Sequence, residues 1–265
     1  MAQQILDRIR SHLASTGLSR SGLARAAGLH ANTLRDLDEP GWNPTAETLR
    51  KLEAFLSGSG PSPLVPIEEI IAEARNGRMY VLVDDEDREN EGDLIIPAQM
   101  ATPDAINFMA THGRGLICLA LTPERAGQLG LSLVNPGTAR QTGRPFARSI
   151  EAAEGVSTGI SAADRAHTVQ VAIAEGATSA HIHSPGHVFP LIARAGGVLE
   201  RASACEASID LARLSGAGDA AVICSIMRDD GEMARLEDIG DLIAAHGLAI
   251  ADIGALIERM EGAAA

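Results

Sequence analysis

Residues 79–98 read MYVLVDDEDRENEGDLIIPA. The stretch begins and ends with apolar, Val- and Ile-rich runs, and between them eight of the ten residues from Asp84 to Asp93 are charged. Short apolar runs of this kind, bounded by polar sequence, predict buried strands. A polar loop at a strand end is where open α/β sheets place their sites, and carboxylates crowded there suit a hard cation such as Mg²⁺. A solvated acidic loop is the alternative interpretation.

Strand-like and helical patterns alternate on both sides of this stretch. Further strand candidates are GLICLAL (115–121), AVICSIM (221–227) and the less regular AHTVQVAI (166–173). Helical patterns occur in IEEIIAEARNG (67–77), TPDAINFMATHG (102–113), TPERAGQLG (122–130), EASIDLARLSG (206–216) and RLEDIGDLIAAHG (235–247). Interleaved strands and helices predict a sheet covered by helices.

The Ser-, Gly- and Pro-rich stretch SGSGPSPLVP (57–66) is typical of a linker. It predicts two domains, 1–57 and 67–265, joined by a linker at 58–66. Residues 1–60 carry seven basic and six acidic side chains, whereas the remainder carries 15 and 29. A phosphate backbone would repel the acidic part, so any nucleic-acid role belongs to the first 60 residues.

Composition excludes several other classes. Aromatic residues are 2% of the chain, which argues against a stacking surface for single-stranded nucleic acid. The three cysteines have neither C-x-x-C spacing nor disulfide density, and this favours a reducing compartment. No apolar run approaches the ~20 residues of a membrane span, and the N-terminus lacks the apolar core of a signal peptide. We therefore expect a cytoplasmic protein without a membrane partner.

The first 57 residues contain four short helical patterns. The second and third, SRSGLARAAG and HANTLRDLDE, meet at a Gly turn, and TAETLRKLEAFLS follows with Thr45 as its N-cap. This order resembles the helix-turn-helix module of the Cro and phage-repressor type. The resemblance implies base contacts from the third helix and phosphate contacts from basic side chains near it; these residues are His30, Asn32, Thr33, Arg35, Arg20 and Arg25. A small helical bundle for protein contacts is the alternative, and a net charge of about +1 is low for a DNA-binding domain.

Six motifs of the second domain occur in one order and spacing: DDEDRENEGDLIIPA, GLICLALT, EGVSTGISAADRA, PGHVFPLIARAGGVL, EASIDLARLSG and DDGEMARLEDI. Residues 67–260 thereby resemble the 3,4-dihydroxy-2-butanone 4-phosphate synthase family of riboflavin biosynthesis. The resemblance implies an α+β fold, with a mixed sheet and helices on both faces. It also implies a homodimer that uses Mg²⁺ (or Mn²⁺) to convert D-ribulose 5-phosphate to 3,4-dihydroxy-2-butanone 4-phosphate and formate.

The resemblance also assigns roles to residues of this chain. It implies a metal-binding Glu89 and a catalytic His187 in SPGHVFP. The catalytic candidates further include Glu91 and Cys205, and the substrate-binding candidates are Arg88, Asp93, Arg201 and Thr158. His187 lies in a Pro-Gly turn, which can present its imidazole outside the core; a structural hydrogen bond is the alternative role.

The sequence departs from the family pattern in three motifs, at four positions in all. Where the family has a metal-binding His and a phosphate-contacting Thr, this chain has Ala204 and Cys205. Ser225 replaces the family's catalytic Glu, and Ser184 replaces the Arg before Pro-Gly-His. Loss of one general base costs ~100–10,000-fold in rate, so the family reaction is placed in doubt.

Two kinds of residue could compensate for these losses. His181 and His183 would point to one side of an extended strand and could bind a metal, although a solvated pair is the commoner case. Cys205 could act as a nucleophile if Arg201 lowered the pKa of its thiol, but a lone Cys is more often inert.

These departures leave three hypotheses open. The first is an enzyme that carries out the family reaction or a related rearrangement or dehydration of a pentose phosphate. The second is a transcription regulator that binds DNA through residues 1–57 and senses a sugar phosphate. The third is an inactive paralogue that forms heterodimers with an intact synthase.

Overall fold

The computed structural model of the chain describes residues 2–16, 20, 23–24, 27, 29–30, 32–39, 42, 44–56, 64–84, 90–137 and 145–264. The chain divides into two compact units, Met1–Pro63 and Leu64–Ala265. The division falls inside the stretch whose composition predicts a linker. None of the described helices combines the length and the apolar character that a membrane span needs.

The N-terminal unit has a small core of its own. It contains α1 (Ala2–Thr16) and α2 (Ala46–Leu56), and Thr45 caps α2 by accepting a hydrogen bond from the backbone N–H of Thr48 at 3.1 Å. The core residues are Ile5, Leu6, Ile9, Leu23, Ala24, Ala27, Leu34, Leu37 and Leu52. Residues 32–38 form successive turns, in which the amides of Thr33, Arg35 and Leu37 each bond to the carbonyl three residues earlier, and they do not form the regular third helix that the sequence pattern predicts.

The second unit is built on one seven-stranded sheet of order β4-β5-β3-β6-β2-β1-β7. The strands are β1 (Tyr80–Val83), β2 (Gly92–Pro97), β3 (Cys118–Leu121), β4 (Ile150–Ala152), β5 (Ile182–Ile192), β6 (Ala220–Ser225) and β7 (Ala249–Asp252). The β1–β7 and β3–β5 pairs are parallel, and the remaining pairs are antiparallel. The sheet is therefore mixed, as the family resemblance predicts.

Helices cover both faces of this sheet. In chain order they are α3 (Ile67–Arg75), α4 (Pro103–Phe108), α5 (Pro123–Gln128), α6 (Ala162–Ile173), α7 (Ala204–Ser215), α8 (Gly240–His246) and α9 (Ile253–Ala264). Helices α3, α7 and α9 pack on one face against Leu82, Ile95 and Ile223. The opposite face, with Leu94 and Val222, carries α4 and α6. The predicted α+β architecture is confirmed.

Local sequence explains where several of these helices begin. Thr102 and Thr122 each accept a hydrogen bond from the backbone N–H three residues later, and a proline follows each of them, which is the preferred start of a helix. Ser161 caps α6 in the same way, through the N–H of Asp164.

The strand interpretation of AHTVQVAI is therefore wrong: these are the last eight of the twelve residues of α6. Its apolar residues alternate only briefly, and the cap at Ser161 begins a helix that buries Ala166, Val169 and Ala172 on one side.

Candidate functional site

Two polar side chains meet where β2 begins and β6 ends. Asp93 lies directly opposite Ser225, and the Ser225 hydroxyl donates a hydrogen bond to Asp93 Oδ1 at 2.7 Å. Ser225 is the last residue of β6, so the position that the resemblance assigns to a catalytic Glu carries a neutral hydroxyl.

His187 lies at the same end of the sheet. Cys118 pairs with Phe189 on β5 and with Ile223 on β6. His187 and Ser225 each lie two residues beyond these partners, so they are level along their strands, with β3 between them. At ~4.8 Å per strand, roughly 10 Å separates them, which leaves room for a small substrate.

Three of the positions singled out by the resemblance, Arg201, Ala204 and Cys205, lie at or just before the N-terminus of α7. Arg201 precedes the helix, and its Nη2 lies 2.5 Å from Glu206 Oε1. Glu206 is fully buried and also accepts hydrogen bonds from the Arg194 backbone N–H at 2.8 Å and from the Ser203 hydroxyl. Glu206 therefore fixes the guanidinium at this helix end.

The first residue of α7 is Ala204, so the position that the resemblance assigns to a metal-binding His carries no ligand atom. Cys205 follows and is buried. Burial raises the pKa of the Cys205 thiol well above its ordinary value, and the nearby Glu206 carboxylate raises it further. The prediction that Arg201 would activate this thiol meets the opposite environment, because desolvation of the thiolate outweighs the guanidinium.

Cys118, which lies in the predicted strand GLICLAL, is close enough to Asp93 to feel its charge. Its pKa is raised to about 12, mainly by burial and also by the charge of Asp93. It therefore contributes a neutral thiol to the apolar floor beside Asp93, and nothing in its sequence surroundings distinguishes it from a core residue.

The charged loop is described only at its two ends. Arg88 and Glu89 lie outside the described residues. The Asp84 backbone N–H donates to the Glu91 carbonyl at 3.2 Å, and Glu91 pairs with Arg235 in an isolated bridge. Strand β2 begins at Gly92 and lies directly between β6 and β1.

Thr158 is exposed on the turn that precedes α6. Asp164 organises this turn by accepting hydrogen bonds from the Ser157 hydroxyl at 2.9 Å and from the Gly159 backbone N–H at 3.0 Å. Burial alone would raise the pKa of the Asp164 carboxyl, but these donors, with that of Ser161, outweigh it and lower the pKa. The turn is therefore held by a charged carboxylate.

The two compensating histidines do not form a pair. His181 ends a short 3-10 helix, and its Nδ1 accepts a hydrogen bond from the Thr178 backbone N–H at 3.0 Å. His183 alone belongs to β5. The prediction that both would point to one side of a strand is wrong, because the strand begins after His181.

A Mg²⁺ site would have to be built from oxygen ligands. Among the residues that the structure describes, no three His, Cys, Asp or Glu side chains are grouped so as to hold a metal ion. Asp93 and the ends of the charged loop supply carboxylates, and Mg²⁺ accepts one or two carboxylates with water in its other positions. The described donors fit such an ion and do not fit a site that requires an imidazole from the start of α7.

The candidate DNA-contact residues have mixed surroundings. His30, Asn32 and Arg35 are exposed, while Thr33 is half-buried and Arg25 lies outside the described residues. Arg20 pairs with Asp38 and donates to the Arg35 carbonyl at 2.9 Å. An internal carboxylate thus already neutralises one of the predicted phosphate contacts, and DNA binding stays a prediction.

Residues 68–259 match the family profile of 3,4-dihydroxy-2-butanone 4-phosphate synthase. The chain belongs to this family. A synthase of this name from Haemophilus influenzae is 45% identical over 206 residues, which are 78% of this chain and 96% of that protein. One from Pseudomonas aeruginosa is 52% identical over 191 residues, 72% of this chain and 52% of that protein. The chain thus spans about half the length of several curated relatives that it matches.

Solved structures of the family share the fold. A synthase crystallised in complex with two magnesium ions has a TM-score of 0.71 and 36% identity, and the match covers 75% of this chain and 98% of the other. A two-domain synthase from A. baumannii has a TM-score of 0.68 and 49% identity, with coverages of 73% and 57%.

Proposed function

We propose that the second unit is a Mg²⁺-dependent lyase that converts D-ribulose 5-phosphate to 3,4-dihydroxy-2-butanone 4-phosphate and formate. The observation that carries this proposal is that Asp93, opposite Ser225, and His187 lie at the same end of the sheet. Family membership supplies the reaction class, and this arrangement supplies groups of suitable chemistry for it.

Each group has a task in such a reaction. The reaction needs proton transfers at carbons next to a carbonyl, and His187 is the candidate general acid and base because imidazole titrates near neutral pH. Arg201 is the candidate contact for the substrate phosphate, and its guanidinium is already paired with the buried Glu206 carboxylate. Arg88, Asp93 and Thr158 are further candidate substrate contacts, Glu91 is a candidate catalytic carboxylate and Glu89 a candidate metal ligand. A bound Mg²⁺ would stabilise negative charge on enediolate oxygens.

Ala204 and Ser225 set the expected rate. Ser225 cannot act as a carboxylate base, and one general base is worth ~100–10,000-fold. Loss of a group that supports a metal costs ~10–100-fold in affinity or activity. We therefore propose a slow synthase, or one that carries out a related rearrangement or dehydration of the same class of substrate.

Homodimerisation in the cytoplasm is part of this proposal. Leu116 and Val134 have 54% and 62% of their surface exposed and line a groove of about 600 Å³ together with Phe146 and Phe189. Large exposed apolar side chains that share one groove are typical of a surface that a second copy covers. Sedimentation of the protein at increasing concentration tests this part of the proposal.

A second candidate function is a regulator that senses a sugar phosphate through the impaired site and binds DNA through residues 1–57. The separate core of the N-terminal unit and the exposed His30, Asn32 and Arg35 favour it. Specific binding to a palindrome, with affinity that falls steeply with salt, would support this function. An inactive paralogue in a heterodimer is the third possibility, and co-purification with an intact synthase is its test.

The decisive experiment follows carbon-13-labelled ribulose 5-phosphate by NMR with the full chain and Mg²⁺. Formate together with the four-carbon phosphate product supports the proposal, provided that His187→Ala abolishes it and Glu175→Gln, at an exposed turn, does not. A different product means changed chemistry on the same ligand. Unchanged substrate that nevertheless shows line broadening on binding refutes the lyase and favours the regulator.

A further inference from the structure

Strand β5 contains a bulge that presents His187. Its register against β4 passes from Val188, which faces Ile150, to His183, which faces Glu151. The four residues between them, Ser184 to His187, therefore face no partner residue of their own. The bulge is the part of the strand that carries the family's Pro-Gly-His.

Ser149, the residue before β4, holds this bulge through two hydrogen bonds. The Ser184 hydroxyl donates to the Ser149 carbonyl at 2.8 Å, and the Gly186 backbone N–H donates to the Ser149 hydroxyl at 3.2 Å. A Cβ on Gly186 would lie 2.2 Å from the carbonyl carbon of Ile150, so only glycine permits this approach. These contacts fix the backbone from which the imidazole projects.

A carboxylate then fixes the imidazole itself. Glu151 Oε1 lies 3.3 Å from His187 Nδ1. The Glu151 side chain is 18% exposed and that of His187 is 41% exposed. An ionised carboxylate can only accept hydrogen bonds, so Nδ1 must carry the proton of this contact. Nε2, on the far side of the ring, is then left to exchange protons with a substrate.

The turn before α6 provides the space for this carboxylate. Gly159 has φ +79°, and a Cβ built on it would lie 0.9 Å from Glu151 Oε1. Asp164 holds Gly159 in place through the 3.0 Å bond to its backbone N–H. The carboxylate of Glu151 therefore sits in a cradle that exists only because residue 159 has no side chain.

We propose that Glu151 is the positioning residue of His187: it holds the Nδ1–H tautomer and turns Nε2 toward the open end of the sheet. The same chemistry orients a general-base histidine wherever a buried carboxylate accepts its second ring N–H. The catalytic consequence rests on the proposed lyase, whereas the tautomer is a property of the folded chain alone.

Two readouts test this inference on the full chain. The first is the nitrogen-15 spectrum of labelled histidines at about pH 9, where an ordinary imidazole is neutral, with His187 assigned by its loss in His187→Gln. We expect the Nδ1–H tautomer in the unaltered protein. Glu151→Ala is expected to shift His187 toward Nε2–H, and the nearly isosteric Glu151→Gln is expected to give a mixture, because an amide can accept or donate.

The second readout is formate release. Glu151→Gln is expected to lower kcat about 10–100-fold with little change in KM, because a group that orients a catalytic residue is worth about that much. Glu154→Gln, three residues along at an exposed position, serves as the matched control and is expected to leave both readouts unchanged.

The two readouts separate the possible failures. A chain that releases no formate but shows the Glu151-dependent tautomer refutes the lyase and upholds the positioning role. An unaltered His187 tautomer in folded Glu151→Ala and Glu151→Gln overturns the positioning role, whatever the activity. Equal losses in a Glu151 variant and in Glu154→Gln would likewise overturn it.

Discussion

Replacement of Glu206 by alanine is expected to cost about 3–5 kcal/mol of unfolding free energy. Glu206 is 0% exposed, and the Arg201 side chain that it pairs with is only 15% exposed. Removal of one member of a buried ion pair leaves the other charge uncompensated, and that situation typically carries a penalty of about this size. The variant also removes the acceptor of the Arg194 N–H and of the Ser203 hydroxyl.

Thermal unfolding provides the assay. A loss of this size in a unit of roughly 200 residues lowers Tm by roughly 6–20 °C. Far-UV circular dichroism follows mainly the larger unit, whereas the single tryptophan, Trp42, packs on the core of the N-terminal unit. We expect the midpoint of the circular dichroism transition to fall to a lower temperature. The midpoint of the Trp42 fluorescence transition is expected to stay unchanged, because the two units have separate cores.

Glu175→Ala is the matched control, since a surface substitution of this kind changes stability by about 0.5 kcal/mol at most. A loss below about 1 kcal/mol for Glu206→Ala would refute the view that Glu206 is the required counter-charge of Arg201. An equal shift of the Trp42 transition would refute the assignment of the loss to the second unit.

Three further predictions concern the site, the core and pH. Ala204→His together with Ser225→Glu is expected to raise the rate of formate release about 100–10,000-fold, and an unchanged rate would mean that neither replacement limits it. Tyr80→Phe is expected to leave stability unchanged or raise it by about 1 kcal/mol in urea denaturation, because the buried Tyr80 hydroxyl has no hydrogen-bond partner among the described residues; a clear loss would reveal a partner. Since the folded-state pKa of Asp164 is lowered, its contribution to stability is present above the unfolded pKa and is lost as pH falls through the folded value. Asp164→Asn should therefore flatten the acid limb of the stability curve measured against pH, and an unchanged limb would contradict this assignment.

Much of the fold could be predicted because its signals are local. The runs YVLV and CLAL are apolar, short and bounded by polar residues, and both are central strands. The Thr-Pro pairs that begin α4 and α5 act through a hydrogen bond three residues away, which sequence spacing alone specifies. The strand pattern of residues 166–173 was misleading because its alternation was too short to outweigh the helix cap at Ser161.

The sequence by itself determined the family of this protein, the positions of Ala204 and Ser225 where ligands are expected, and the polar character of residues 84–93. Only the tertiary structure decided that Ser225 meets Asp93, that Cys205 is buried as a neutral thiol and that Glu151 holds His187. These three outcomes depend on strand register and on burial, which join residues between 36 and 132 positions apart or remove them from water. Residue order specifies neither strand register nor which individual Cys or Glu side chains become buried, so a short strand such as Ile150–Ala152 gives no indication of its role until the sheet is assembled.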